Sequence, residues 1–266
     1  MRDCRRVAWE RPYRDGLAQS SSAELDALLR GGIDRGTSVL LMGPAGSGKT
    51  TMSSPFMVAA LLREEYVVVY LFEESRETFL ARSTGLGLNF TPYLEMGRFE
   101  LVQVDLAELS PGEFSSRVRH AVENHQAAII VLDSLNGYMN GMPSEQFLVI
   151  HMHELLSYLS KKGVATMLTV AQHGIMGSAM QTPIDVSFLA DTVILLRYFE
   201  AMGTVRQAVS VVEKRRGGHE RTIREMRITS SGSRVGDVLA DFQGVLTSVP
   251  QYRDHNKELL VNESEH

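Results

Sequence analysis

Cysteine is almost missing from this chain: Cys4 is the single one among 266 residues. A lone thiol closes no internal disulfide, so the fold must rest on its core, and 13 Met without a disulfide framework suit a reducing compartment. We therefore expect a cytoplasmic location. Long apolar runs are missing too. The most apolar stretches, YVVVYLF and AAIIVL, have strand length, so no membrane span is expected. The first residues, MRDCRRVAWERPYRDG, contain five Arg but no apolar leader core, and Asp3, Glu10 and Asp15 speak against a transit peptide. Positive charge is not in excess: 27 Lys plus Arg stand against 32 Asp plus Glu, a net charge of −5. A chain of that balance is not composed to coat nucleic acid, and any basic site must be local. Internal repeats and a Pro/Ser/Gly-rich linker are likewise lacking.

What is present is ordinary globular material, 44% hydrophobic and 22% charged, long enough for one large α/β domain. Short β-branched runs alternate with segments of helical spacing, the pattern of βαβ units and a mostly parallel sheet. Strands are expected at 38–42, 66–72, 99–104, 127–132 and 165–170, nearly all apolar, as suits strands buried on both faces. Helices are expected at 49–65, 76–84, 112–125, 144–162 and 184–189. From Asp191 onward the texture changes to strands at 192–198, 206–214 and 222–228, with Gly203 and Gly217-Gly218 as turn signals, which predicts antiparallel strands at one sheet edge. The expected organisation is an N-terminal arm (1–16), one domain (17–252) and a polar mobile tail (253–266).

Residues 43–50 read GPAGSGKT, between the apolar run SVLLM and the helical segment TMSSPFMVAALLREE. Spacing and context are those of a Walker A loop. Gly43, Gly46 and Gly48, with Pro44, Ala45 and Ser47 between them, permit a loop whose N–H groups converge on phosphate oxygens at a helix N-terminus. Lys49 is then placed to reach the β and γ phosphates, the Thr50 hydroxyl to coordinate Mg²⁺, and Thr51 to lie near the α phosphate. The bland alternative is a glycine-rich turn with a chance Lys-Thr.

Three strand ends carry further candidates. Glu73 and Glu74 follow YVVVYLF, at a carboxyl edge where open α/β sheets bind ligands. One of them can orient an attacking water or accept its proton, with Glu74 also a candidate metal-holding group. The alternative is two solvated acids at a helix start. Asp133 ends AAIIVLDS, the Walker B arrangement that delivers one carboxylate to the Mg²⁺ shell, although a strand ending in Asp before a turn is common. Gln172 ends ATMLTVAQHG, where an amide can sense a γ phosphate; His173 beside Gly174 reads better as a turn residue.

Lys214, Arg215, Arg216, Arg221, Arg224 and Arg227 crowd one short span. They fit a cation supplied across a subunit boundary to a neighbour's γ phosphate, a nucleic-acid footprint, or a charged sheet edge that resists aggregation. The first role falls to Lys214 and Arg216, which strand alternation puts on one face. The third carries even weight for Arg221, Arg224 and Arg227.

The run GGIDRGTSVLLMGPAGSGKTT, the pair in YLFEES, the strand IIVLDSL and the block DTVILLRYFEAMGTVRQAVSVVEKRRGGHERTIREMRI, followed by RVGDVLADFQGVLTSVP, closely resemble the KaiC family of RecA-like ATPases over roughly residues 17–252. The resemblance implies a RecA-like P-loop NTPase fold, a parallel sheet flanked by helices, with Mg-ATP bound between subunits of a hexameric ring. It matches Glu73 and Glu74 to the family's tandem catalytic glutamates, and Lys214 and Arg216, flanking Arg215, to its Lys-x-Arg element at the neighbouring nucleotide. Clock-type members carry two such domains and phosphorylate an adjacent Ser-Thr pair. This chain has room for one domain, and its matching stretch, IDVSFLADT, offers Ser187 followed by Phe188, with Thr182 nearby.

The leading expectation is a homo-oligomeric ATPase acting as a switch for protein partners. The alternatives are a serine/threonine autokinase and a RecA-like DNA-binding ATPase. Nucleic acid and membrane are not expected partners.

Overall fold

Strands that are apolar at every position need cover on both faces, and the central strands of this chain receive it. In the computed structural model the described residues are 15–105, 109–142, 144–172, 189–246 and 251–252. The predicted arm up to residue 14, the tail, His173, Thr182, Ser187 and the predicted helix as far as residue 188 lie outside them.

Two short strands, β1 (Leu17–Ala18) and β2 (Ile33–Asp34), bracket helix α1 (Ala23–Leu28). The core follows as β3 (Ser38–Pro44), α2 (Lys49–Leu62), β4 (Tyr66–Leu71), α3 (Arg76–Gly85), α4 (Thr91–Glu95), β5 (Phe99–Gln103), α5 (Pro111–His125), β6 (Ala127–Asp133), α6 (Leu135–Asn140), α7 (Glu145–Lys161) and β7 (Ala165–Gln172). Then come β8 (Thr192–Ala201), β9 (Thr204–Lys214), β10 (Arg224–Thr229), β11 (Gly232–Val238) and the pair β12 (Phe242–Gln243) and β13 (Gln251–Tyr252).

Nine strands form one sheet in the order β11-β10-β9-β8-β3-β7-β6-β4-β5. From β8 to β5 all neighbours are parallel, and β9, β10 and β11 extend that core as an antiparallel edge. The expected antiparallel edge therefore begins one strand later than its texture indicated. Residues 192–198 lie parallel to β3 and form the sixth parallel strand, and only their far side meets β9 in antiparallel pairing. The β8–β9 hairpin is also longer than expected, running to Ala201 and restarting at Thr204.

Alternation assigns each side chain to a face. Val39, Leu41, Val67, Val69, Leu71, Ile129 and Val131 pack with α1 and α2 on one side, whereas Leu40, Val68, Tyr70, Ile130 and Leu132 pack with α5 and α7 on the other. A one-residue slip would exchange the two sets, so the register is tightly specified. Serine N-caps fix the helix starts: Ser22, Ser75, Ser110, Ser134 and Ser144 each accept from a main-chain N–H of the first turn, and Ser110 with Glu113 completes a capping box. Helix α2, which opens at the glycine loop, contains Pro55 and stops at Leu62, three residues short of expectation. No helix of the described residues is long and apolar enough to cross a membrane.

Candidate nucleotide site

The carboxyl ends of β3, β4, β6 and β7 meet at one edge of the sheet, and there the topology gathers Gly43–Thr50, Glu73, Asp133 and Gln172. Strand β3 delivers the glycine loop directly to the first turn of α2. Gly46 and Gly48 adopt φ of 75° and 92°, a left-handed backbone that favours glycine. Side chains are also excluded sterically. A Cβ on Gly43 would lie 2.7 Å from Ser47 Oγ and 2.8 Å from Leu196 O, and one on Gly48 would lie 2.5 Å from Ile228 Cδ1. Ser47 is fully buried, and its Oγ has no partner in the described structure. Such a backbone cradle with a spare hydroxyl suits phosphate oxygens.

Lys49 is 9% exposed. Its ammonium donates to the carbonyls of Gly43 at 3.0 Å and Pro44 at 2.7 Å. Burial pushes its pKa below the usual lysine value, and the charges of Asp133 and Glu73 pull it back upward. A cation kept close to its loop and partly dehydrated is well prepared for an anion.

Asp133 joins two hydroxyls. Its Oδ2 accepts from Thr50 Oγ1 at 2.6 Å, and its Oδ1 accepts from Thr169 Oγ1 at 2.5 Å. A carboxylate and a hydroxyl in contact at the head of a phosphate loop are the protein ligands that Mg²⁺ takes when water and phosphate supply the rest. The residues present thus fit ATP with its metal.

The adjacent glutamates separate. Glu73 accepts from the Ser134 hydroxyl, beside Gly137, and is close enough to Lys49 to influence its charge. Glu74, the other candidate metal-holding group, is held by Arg82 through two bonds of 3.1 and 2.6 Å. Gln172, across from Pro44 in the β3–β7 register, accepts from Arg197.

Lys214, Arg215 and Arg216 lie elsewhere in the same chain. Lys214 opposes Thr192, which opposes Val39 at the start of β3, so it sits at the amino edge of the sheet. At about 3.3 Å per residue that edge is roughly 17 Å from Pro44, beyond the reach of a lysine to its own loop. The Lys214 side chain is buried, donating to Leu29 O at 2.8 Å and Gly32 O at 3.1 Å, with Asp34 at 3.4 Å. The strand ends at Lys214, so alternation does not align it with Arg216, which is exposed on the following turn. Arg215 contacts Glu213, while Arg224 pairs with Glu220 and Arg227 with Glu225, as a solvated charged edge does.

Three contributors were not anticipated from sequence: Thr169, Ser134 and Arg197. Beside Thr51 a groove of about 930 Å³ opens between Ser21–Glu24, Pro55 and the β10–β11 hairpin. A polar cavity of about 550 Å³ lies instead at the amino ends of the strands, lined by Arg35, Glu65, Tyr66, Arg98 and His125, and contains none of the predicted site residues.

A parallel sheet whose central strand opens into a glycine cradle, with a buried lysine bonded to the loop carbonyls and a threonine–aspartate contact at its head, defines a P-loop nucleotide-binding domain of RecA-like fold. The family model "ATPase: KaiC" matches residues 19–239, and the chain belongs to that family. It is 27% identical over 246 residues to "Circadian clock protein KaiC3" of Synechocystis sp., covering 92% of this chain and 48% of that protein. It is 26% identical over 231 residues to "Circadian clock oscillator protein KaiC" of Prochlorococcus marinus, covering 87% of this chain and 46% of that one. The protein of the same name from Synechococcus elongatus is 26% identical over 234 residues, 87% of this chain and 44% of its own length. The chain spans about half the length of the curated relatives it matches.

Proposed function

We propose that the chain binds Mg-ATP in the Gly43–Thr50 loop and hydrolyses it slowly at the interface between copies of itself, as a switch read by partner proteins. The observation that carries this reading is the Asp133–Thr50 contact of 2.6 Å at the head of the loop that holds Lys49.

In this reading the main-chain N–H groups from Gly43 to Gly48 cradle the β phosphate, and Lys49 exchanges its carbonyl partners for the β and γ oxygens. Thr50 and Asp133 hold Mg²⁺, which when bound neutralises charge on the β and γ phosphates. Thr51 marks the α-phosphate end, and the adjoining groove takes the nucleoside. Glu73 is the group that orients the attacking water and accepts its proton, since it lies on the Lys49 side and its Ser134 bond leaves the carboxylate an acceptor. Gln172 reports the terminal phosphate.

The distance between the two sheet edges bears on assembly. Arg216, the exposed cation beside the buried Lys214, serves a phosphate only in a neighbouring subunit, and such head-to-tail contacts either close into a ring or run on as a filament. A hexameric ring is the closed solution that the family resemblance implies. Replacing Glu73 and Glu74 together by Gln is expected to abolish phosphate release while ATP still binds, and undiminished turnover would refute the assignment. The solution mass is expected to rise on adding ATP. A mass that is the same with and without nucleotide, and that of one chain, counts against the shared site.

A further inference from the structure

Gln172 and Arg197 bracket the end of β3 from opposite sides. Gln172 closes β7, in register with Pro44; Arg197 lies on β8, two residues beyond Leu195, the partner of Met42. Each is 8% exposed. The guanidinium of Arg197 donates through Nη1 to the Gln172 side-chain oxygen, while its Nε has no partner. No carboxylate forms an ion pair with it among the described residues. Burial works against the charge, lowering the arginine's pKa, but a guanidinium does not give up its proton in a protein. Among the described residues this dehydrated cation is thus satisfied only by a neutral amide, next to the phosphate loop. Such a group is costly unless an anion completes its surroundings.

The chemistry of the amide limits what that anion can be. A primary amide has one accepting and one donating end. With its oxygen turned to Arg197, Gln172 presents its NH₂, the end that can donate to an anion, to what lies beyond. We propose that Arg197 is a positioning residue: it locks the Gln172 amide with the NH₂ toward the loop, so that Gln172 is an obligatory donor to the terminal phosphate of ATP. The γ phosphate then supplies, through the polarised amide, the negative charge that the buried guanidinium lacks. Preference for triphosphate over diphosphate therefore depends on a residue that touches neither nucleotide. This inference rests on the proposed ATP site and adds the origin of its ATP/ADP discrimination.

Equilibrium binding of ADP and of a non-hydrolysable ATP analogue to the full chain tests it. In the unsubstituted protein the analogue binds more tightly than ADP. Arg197→Met is expected to erode that preference by about ten- to hundredfold, the worth of one hydrogen bond to a charged group, with ADP affinity nearly unchanged. Gln172→Ala should do the same, and the double variant no more, because the two act as one unit. Arg197→Lys should restore part of the preference. Gln172→Glu gives an independent reading: its carboxylate pairs with Arg197, raising the melting temperature without nucleotide, yet repels the γ phosphate and removes the preference. Equal losses for both nucleotides in Arg197→Met, additive effects in the double variant, or Gln172→Glu that keeps its triphosphate preference would each overturn the inference. Absence of binding by the unsubstituted chain to either nucleotide would instead sink the ATP site itself.

Discussion

Glu73 and Glu74 are neighbours in sequence and part in space: the first accepts from Ser134 beside the phosphate loop, and the second is clamped by Arg82. Their contributions should differ accordingly. Glu73→Gln is expected to lower the rate of phosphate release by at least about a hundredfold, the range of a lost general base. Glu74→Gln should retain most of the rate and lose stability, because Arg82 keeps its charge without its carboxylate. Phosphate-release kinetics beside thermal melts separate the two. Equal loss of rate in both variants would show that the Arg82 clamp does not set Glu74 apart.

Asp133 should govern metal demand. With one oxygen bonded to Thr50 and the other to Thr169, it is fixed in orientation before any ion arrives. Asp133→Asn is expected to raise the Mg²⁺ concentration for half-maximal activity by about tenfold or more. Thr169→Val should raise it by less, since only the orientation is lost. Titrating activity with Mg²⁺ at saturating ATP measures both, and an unchanged requirement in Asp133→Asn would remove it from the metal site.

Much of this was legible in the sequence because fully buried parallel strands and a Walker A loop are local patterns. The strands at 38–42, 66–72 and 127–132 announce themselves by unbroken apolar runs, and the Gly43–Thr50 spacing carries its own geometry. Residues 192–198 pair antiparallel with β9 as their texture indicates, but an apolar strand has the same texture whether or not β3 also lies beside it, so the parallel pairing on the other side is not legible. Thr169 inside ATMLTVAQ reads as ordinary β-propensity; only the β6–β7 pairing shows that it faces Asp133. Arg197, a single cation inside DTVILLRY, is a side chain whose burial depends on what crosses the end of β3. Lys214 illustrates the limit of alternation, which fixes the face of a strand residue but not the carbonyls waiting there from the α1–β2 connection.

Sharing of the site between subunits is open to a complementation test. Lys49→Ala removes the ammonium from the loop, and Arg216→Ala removes the exposed cation from the opposite sheet edge. Each variant alone is expected to be nearly inactive. In an equal mixture, a sound loop meets a sound Arg216 at about a quarter of random interfaces, and activity should return to that extent. A mixture no more active than its components would show that the cation does not act across the boundary.

Gly43 offers a test of the cradle's packing. The Cβ of Gly43→Ala would press on Leu196 O, a main-chain atom of a paired central strand that has little room to yield. Overpacking of this kind costs about 1–3 kcal/mol, so the variant should melt lower and bind nucleotide more weakly. Gly112→Ala in α5 is the matched control. Nothing lies within 4 Å of its added methyl, and a helix favours alanine by up to about 1 kcal/mol. If Gly43→Ala melts no lower than Gly112→Ala, the loop is not held as tightly as these distances state.

Acid should act on the fold partly through His151. Its Nε2 faces Ser115 Oγ at 2.9 Å and its Nδ1 faces the Tyr138 hydroxyl at 2.8 Å, so the ring ties α7 to α5 and to α6, the helix that follows Asp133. Burial lowers its pKa below the usual 6.5, against the opposing pull of the Pro111 backbone and the Glu154 charge. The unfolded chain takes up a proton near pH 6.5 and the folded one only lower. This contribution to stability is therefore complete above about pH 6.5 and is lost as the pH falls toward the folded value. Replacing the ring removes the linkage, so His151→Gln should show a smaller drop in melting temperature between pH 7.5 and 5.5 than the unsubstituted protein. For a chain of this size each kcal/mol moves the melting point by about 2–4 °C, within reach of calorimetry. Identical drops in the two proteins would mean that His151 does not contribute to the acid response.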